Sequence, residues 1–176
     1  VAASLTTGGL VTFGLIGYHL VTDGLLATQV VPIAYSGAML IEAVAALGVG
    51  AAYDRAGARI LLLVPVLVAV VPALAFAGRL AVVLAGIAVW GLATGVQDST
   101  IKAVVAELVE APRRATAYGV FAGIQGVFAI AGGALAGWLY DRSLPALWIV
   151  VGAAQLLALG LLARTLVRAR TVGGLG

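Results

Sequence analysis

The sequence contains no cysteine, one histidine and one methionine, and only 10% of its 176 residues are charged. Without cysteine there can be no disulfide, no thiolate metal site and no cysteine nucleophile. Because a soluble domain carries about 25% charged residues, the 10 basic and 7 acidic side chains are too few to cover a compact fold in water. Disorder is excluded because 63% of the residues are hydrophobic. This composition is therefore typical of a protein that crosses a membrane several times.

Motifs that carry chemistry are missing as well. The sequence has no phosphate-binding Gly-x-x-x-x-Gly-Lys-Ser/Thr loop, no His-Glu-x-x-His pair and no cluster with metal-ligand spacing. The one histidine, His19, lies near the end of an apolar stretch, too shallow to activate a serine deep in the membrane. Basic residues are not interleaved with aromatic ones, which argues against nucleic acid. We therefore expect neither an enzyme nor a bound cofactor or metal.

Apolar stretches separated by charged or turn residues predict six transmembrane helices in an all-α bundle. Crossing a bilayer core takes about 20 mainly apolar residues, and no segment alternates as a barrel strand would. Gly57 and Gly78 lie in predicted turns, and Pro65 and Pro72 are expected to kink the third helix. The predicted helices are 3–22, 29–52, 60–78, 80–105, 115–140 and 146–166.

Basic residues predict the orientation of this bundle. With six helices, eight of the ten fall on one side of the membrane, and only Arg79 and Arg142 fall on the other. The positive-inside rule places the richer side, and both termini, in the cytoplasm of a plasma or bacterial inner membrane. The net charge of +3 thus reflects orientation in the bilayer rather than an acidic partner.

A short pattern occurs twice. GAAYDR at 50–55 closes the second helix and GWLYDR at 137–142 closes the fifth, so that Asp54 and Asp141 are 141 − 54 = 87 residues apart. Three helices separate the copies, which places them on opposite faces of the membrane. This arrangement predicts two inverted three-helix repeats, about 1–79 and about 80–170, followed by a flexible cytoplasmic tail at 171–176. Coincidence is the alternative, because helix ends in membranes often carry such residues.

The segment GAAYDRAGAR at 50–59 resembles the GxxxDRxGRR signature loop of the major facilitator superfamily, with Ala58 in place of a basic residue. The run from Trp90 to Lys102 and the basic loop around Pro112, Arg113 and Arg114 resemble the tenth helix of that family and the loop that follows it. Because the family has twelve helices, the resemblance implies that this chain is a C-terminal six-helix half. The chain begins with Val1 and no basic flank, so we expect a piece of a longer protein whose N-terminal half is its partner.

The signature loop predicts a conformational latch. Gly50 would permit close helix approach, and Gly57 would permit a positive φ in a tight turn. Asp54 lies at a helix C-terminus, which the helix dipole disfavours, so we expect it to pair with Arg55, Arg59 or another helix. The alternative is a plain solvated turn that only sets topology.

Polar residues at membrane depth are the candidates for coupling and for a substrate cavity. Glu42 is foremost because it lies about 18 Å deep at 1.5 Å per residue, where a carboxylate is costly to ionise and could carry a proton. Asp98 has Lys102 four residues on, which predicts an ion pair or a gate. His19 lies one turn before Asp23. The other cavity candidates are Gln97, Tyr35, Trp90 and Gln125.

Glycines at GxxxG spacing are expected to mark tight helix packing rather than chemistry. The pairs are Gly91/Gly95, Gly119/Gly123 and Gly133/Gly137. Their small size would let neighbouring helix backbones approach closely.

These features favour secondary active transport of a small solute by alternating access, with proton coupling through Glu42. The partners would be the lipid bilayer, the N-terminal half, the solute and protons. Two alternatives stay open: a membrane scaffold or sensor that does not transport, and a six-helix unit that dimerises.

Overall fold

The computed structural model describes the backbone of residues 2–173, and within that range the chain is helical, without strands. Short 3-10 turns at Thr28–Val30, Gly57–Leu62 and Ala111–Arg113 join longer helices. These are α1 (Ala2–Gly9), α2 (Phe13–Thr22), α3 (Val31–Ala56), α4 (Leu63–Ala75), α5 (Leu80–Leu108), α6 (Arg114–Tyr140) and α7 (Leu144–Gly173). The expectation of an all-α membrane protein is confirmed.

Five helical stretches in the described part of the chain are long and apolar enough to cross a membrane. The stretch Leu5–Thr22 combines α1 with α2, and the stretch Thr28–Ala75, 48 residues long, combines α3 with α4. At about 20 residues per crossing, the longer stretch suffices for two passes.

Close contacts show that α3 and α4 run in opposite directions. Gly91 of α5 lies against Ala38 and Gly95 lies against Glu42, so α3 and α5 run parallel. Gly86, near the start of α5, lies against Ala75 at the end of α4, so α4 and α5 run antiparallel. The chain therefore reverses at the turn that Gly57 begins with a φ of 59°.

The remaining helices complete an alternating bundle. Thr7 pairs with Gln97 and Val11 with Trp90, so the first pass runs antiparallel to α5. The first pass runs parallel to α6, because Thr7 also meets Gln125 and His19 meets Tyr140. With α7 returning after the short turn at 141–143, the described chain makes six passes. We call the end with the 57–62 and 109–113 turns the basic end, and the other the opposite end.

Helix α5 lies at the centre of the core. Its side chains Val83, Ile87 and Val96 are buried between α3 and α4. A Cβ added at Gly91 or Gly95 would come within 2.5 Å of a carbonyl oxygen of α3. The prediction of tight packing is confirmed for this pair.

The expectation of close helix approach is wrong for four other glycines within the described part of the chain. A Cβ at Gly119, Gly123 or Gly50 would meet no described atom within 4 Å. Gly133 does lie close, with Thr12 Cγ2 at 3.1 Å from its added Cβ, whereas Gly137 has no such neighbour. GxxxG spacing alone does not predict which face of a helix packs against a neighbouring helix.

The helix bounds differ from the sequence expectation in specific places. The first helix is interrupted at 10–12, after Gly8 and Gly9, two residues that hold a helix poorly. Pro65 lies in the first turn of α4, where a missing N–H costs little, and only Pro72 lies inside the helix. Helix α7 continues to Gly173, so residues 171–173 of the expected tail are helical and 174–176 lie outside the described residues.

Candidate functional site

A cleft of about 490 Å³ with several polar side chains in a mainly apolar lining lies between α5 and α6. Its α5 wall uses positions 98, 101 and 102, and its α6 wall uses positions 118, 121, 122 and 125, spacings that keep side chains on one helix face. We call it the α5–α6 cleft, and its lining is Asp98, Ile101, Lys102, Tyr118, Phe121, Ala122 and Gln125. An acid, a base, a phenol and an amide thus share a cavity with the aromatic ring of Phe121.

Glu42 belongs to the same charged group. Because Gly95 has no side chain, the α3 backbone at Glu42 packs directly on α5, and the glutamate side chain lies beside Thr94. It interacts electrostatically with Asp98 and Lys102. Lys102 Nζ lies 3.9 Å from Asp98 Oδ2, a loose ion pair one helical turn apart. We call Glu42, Asp98 and Lys102 the acidic triad, since together they carry two carboxylates and one ammonium.

A layer of uncharged polar groups joins three helices near the middle of the bundle. Gln97 Nε2 donates to Thr7 Oγ1 at 2.6 Å, and Gln125 Nε2 donates to the same hydroxyl oxygen at 3.0 Å. Gln97 is only 3% exposed, and its Oε1 has no partner among the described residues. Gln125 therefore connects the cleft to this inner layer.

Trp90 stabilises the break in the first helix. Its Nε1 donates a buried hydrogen bond of 2.7 Å to the carbonyl of Val11, a group that a continuous helix would satisfy internally. Phe13 packs against both Trp90 and Tyr35, with ring centroids 5.6 and 4.8 Å away. Irregular backbone at membrane depth is tolerated where protein satisfies it, and Trp90 does so here.

The signature loop lies at the basic end, and its charged side chains are exposed. Asp54, Arg55 and Arg59 are exposed, and none of the ion pairs found among the described residues involves Asp54. Gly57 adopts the positive φ expected of it. The pairing expected for Asp54 is thus not formed within the described part of the chain.

Tyr53, next to Asp54, makes the contact that closes this end. Its hydroxyl donates to Glu107 Oε2 at 2.9 Å and ties the end of α3 to the end of α5. Arg114 donates to the carbonyls of Ala106 and Val109, which caps the last turn of α5. Tyr53 and Glu107 are not among the functional residues predicted from the sequence, although the tyrosine repeated before Asp-Arg is a signal for the first of them.

His19 lies at the opposite end, far along the bundle from the acidic triad, and it is only 2% exposed. It contacts Tyr140, the tyrosine of the second repeated hexapeptide. The structure therefore places Asp98 and Gln125 in the cleft and Glu42 beside α5 near Asp98. Gln97 and Trp90 lie on the inner side of α5, and His19 lies apart. Tyr35 is half-exposed on α3.

Two residues that form hydrogen bonds between helices could not be identified from the sequence. Thr7 and Gln155 look ordinary in an apolar helix, yet Gln155 is 1% exposed and donates toward the carbonyl of Thr6 at 3.5 Å. No group of three histidine or acidic side chains in the described residues is placed to hold a metal ion.

Comparison with known proteins agrees with this architecture. The profile of the Major Facilitator Superfamily matches residues 2–174, and the chain belongs to that family. Members of this family are membrane transporters, and the several apolar helices of this chain agree with a multi-pass membrane protein.

Two mycobacterial proteins described as uncharacterized are similar to the chain. They are Rv2265 of Mycobacterium tuberculosis and Mb2288 of Mycobacterium bovis, each 47% identical over 156 residues. The match covers 89% of this chain but only 38% of either relative, so the chain spans about two fifths of their length. No solved structure matches it significantly.

Proposed function

We propose that the chain is the C-terminal half of a secondary active transporter that moves a small solute by alternating access, as symporter or antiporter. The α5–α6 cleft would form part of the solute site, and Glu42 would couple transport to protons. The observation that carries the proposal is the acidic triad beside a cleft in a membrane bundle of this family.

The charge balance of the acidic triad supports proton coupling. With all three groups ionised, two carboxylates and one ammonium leave one excess negative charge. Lys102 pairs with Asp98, so the excess falls on Glu42, which is only partly exposed between α3 and α5. A single proton on Glu42 would make the group neutral. Because Glu42 can be charged or neutral, two conformations of the protein can differ in their affinity for this proton.

The uncovered faces of α3 and α6 support packing against an N-terminal half. Only Ala136 and Leu139 of α6 are fully buried, and α3 buries only Ala38, Val49 and Tyr53. Both helices display apolar side chains, and α6 adds bare glycines that would admit a close neighbour. The relatives are long enough to supply such a neighbour.

The position of the repeated hexapeptide is consistent with two inverted three-helix repeats, 1–79 and 80–170. Asp54 lies in the last turn of α3 at the basic end, whereas Asp141 directly follows α6 at the opposite end. Asp54, unpaired among the described residues, would then contact the missing half and act as the latch with Arg55 and Arg59.

Transport by the full-length protein in proteoliposomes tests the proposal. Because the solute is unidentified, the readout is proton movement, recorded with an entrapped pH dye while a solute library is screened. The Glu42→Gln variant keeps the size and hydrogen-bonding capacity of the side chain but cannot release a proton. We expect it to lose solute-driven proton flux at least tenfold.

Glu110→Gln is the matched control, because Glu110 is an exposed acid in the loop before α6, outside the triad. It should transport like the wild type. Coupled flux that survives Glu42→Gln would refute the coupling role. Failure of every solute to drive flux in the wild type would instead favour the scaffold or sensor alternative.

A further inference from the structure

His19 connects three separate elements at the opposite end of the bundle. Its Nδ1 lies 2.7 Å from Tyr140 Oη at the end of α6, and its Nε2 lies 3.2 Å from the carbonyl of Ala77 in the turn before α5. The rings of Phe76 and Tyr140 stand edge-on to the imidazole, with centroids 5.5 and 5.9 Å away. The His19 side chain, near the end of α2, thus contacts both the end of α6 and the turn before α5.

These partners specify which nitrogen carries the hydrogen. A carbonyl can only accept, so Nε2 must donate to Ala77. In the neutral ring Nδ1 is then an acceptor, and the Tyr140 hydroxyl donates to it. The observed contacts fit a neutral imidazole with both nitrogens satisfied.

Asp23 provides an alternative partner. Its Oδ1 lies 3.6 Å from Nδ1, one turn along from His19, and its side chain is 45% exposed. Other ionisable groups at this end are Tyr18, whose ring is 5.9 Å from that of Tyr140, and Asp141 and Arg142, which follow Tyr140. Arg79, two residues after Ala77, is the cation of the α4–α5 turn.

We propose that His19 is a proton-binding site that switches the contact between α2 and α6. When Nδ1 takes up one proton from the aqueous phase, its lone pair is used, so the Tyr140 hydroxyl can no longer donate to it and can bond only as an acceptor, in competition with Asp23. The new N–H and the positive charge favour the Asp23 carboxylate. The bond to Ala77 persists, the Tyr140 hydroxyl turns to water, and the end of α6 is released from α2. The inference does not depend on the acidic triad or on the identity of the solute.

Distance measurement between α2 and α6 tests the switch without any transport assay. Nitroxide labels are attached to cysteines at Val21 of α2 and Ala134 of α6, two exposed positions on the helices that the His19–Tyr140 contact joins, in the full-length protein in nanodiscs. Distances are recorded by double electron–electron resonance between about pH 8 and about pH 5, a range that spans histidine titration. We expect a longer distance population to become the major one at the acidic end.

Substitutions identify the group responsible. His19→Gln can donate to Ala77 and accept from Tyr140, so it should keep the short distance at every pH. Tyr140→Phe removes the bond of the neutral form and should show the long distance throughout. Asp23→Asn weakens the acidic form, so the change should need a lower pH.

Asp141→Asn is the control, since Asp141 is an exposed acid at the same end and the contacts of His19 are with Tyr140, Ala77 and Asp23 instead. This variant should leave the pH response unchanged. Identical distances in the wild type at both pH values would overturn the proposal. So would a pH response that persists unchanged in His19→Gln.

Discussion

At the residue scale, residues adjacent in sequence make different contacts and take different roles. Asp54 and Arg55 carry the recognisable motif, yet Tyr53 is the buried residue that joins α3 to α5 through Glu107. Gln97 turns inward to Thr7, whereas the adjacent Asp98 faces the cleft. Adjacent positions on a helix are about 100° apart, which explains why neighbours take different roles.

Removal of the Tyr53 hydroxyl should loosen the basic end. Tyr53→Phe deletes a hydrogen bond to a carboxylate, and we expect it to destabilise the protein by about 1–2 kcal/mol. The thermal unfolding midpoint in detergent, followed by scanning fluorimetry, measures the loss.

Tyr118→Phe is the matched comparison. Its hydroxyl donates to the carbonyl of Lys102 at 3.0 Å in an exposed setting, so its loss should cost less. Equal midpoints for the two variants would show that the Tyr53–Glu107 bond contributes nothing special.

At the element scale, the number and character of the helices could be predicted from apolar runs and the charges between them. The break at 10–12 could not, because Gly8 and Gly9 also suit a continuous packed helix. The break depends on Trp90, 79 residues from Val11, whose indole satisfies the freed carbonyl. Such long-range compensation leaves no local pattern.

Helix packing also depended on tertiary context. GxxxG spacing occurs three times, but only Gly91 and Gly95 meet a backbone closely with both members of the pair. The partners Ala38 and Glu42 lie about fifty residues earlier, and nothing in the spacing identifies them. The cleft could likewise be predicted only in part. Its polar residues were candidates from the sequence, but their grouping depends on how the helices pack against α5.

A methyl group at the α3–α5 contact should therefore be costly. In Gly95→Ala the new Cβ would lie 2.5 Å from the carbonyl oxygen of Glu42 and 2.9 Å from the Cβ of Ala45. Overpacking of this kind costs about 1–3 kcal/mol, and here it would also displace Glu42 from Asp98.

Gly160→Ala in α7 serves as the control, because a Cβ there meets no described atom within 4 Å. The unfolding midpoint should fall for Gly95→Ala and stay constant or rise slightly for Gly160→Ala. A Gly95→Ala protein as stable as the wild type would mean that α3 shifts freely on α5.

At the scale of the whole molecule, the bundle has two chemically different ends. The turns at 57–62 and 109–113 carry Arg59 and Arg113, whereas the opposite end carries Arg79 and Arg142. Arg142 lies 4.2 Å from the centroid of the Trp138 ring, an arrangement suited to a membrane interface. The alternation of six passes and this bias were both readable from sequence, because they follow from hydropathy and charge alone.

Cysteine labelling tests the orientation. The chain has no cysteine, so single residues can be placed at the exposed positions Ala56 and Ala111 of the basic end and Ala27 of the opposite end. A membrane-impermeant maleimide should label Ala27→Cys in intact cells, and the other two only after permeabilisation. The reverse pattern would place the basic end outside and overturn the predicted topology.

The interruption at 10–12 has an electrostatic consequence of its own. Helix α2 has 10 residues, so the break lies about 15 Å from the opposite end of the pass, about half the thickness of a hydrocarbon core. The C-terminal end of α1 and the N-terminal end of α2 meet there, one partially negative and the other partially positive. Two opposite partial charges of the backbone are thus fixed near the middle of this pass. Unlike the charge on a carboxylate, they do not vary with pH.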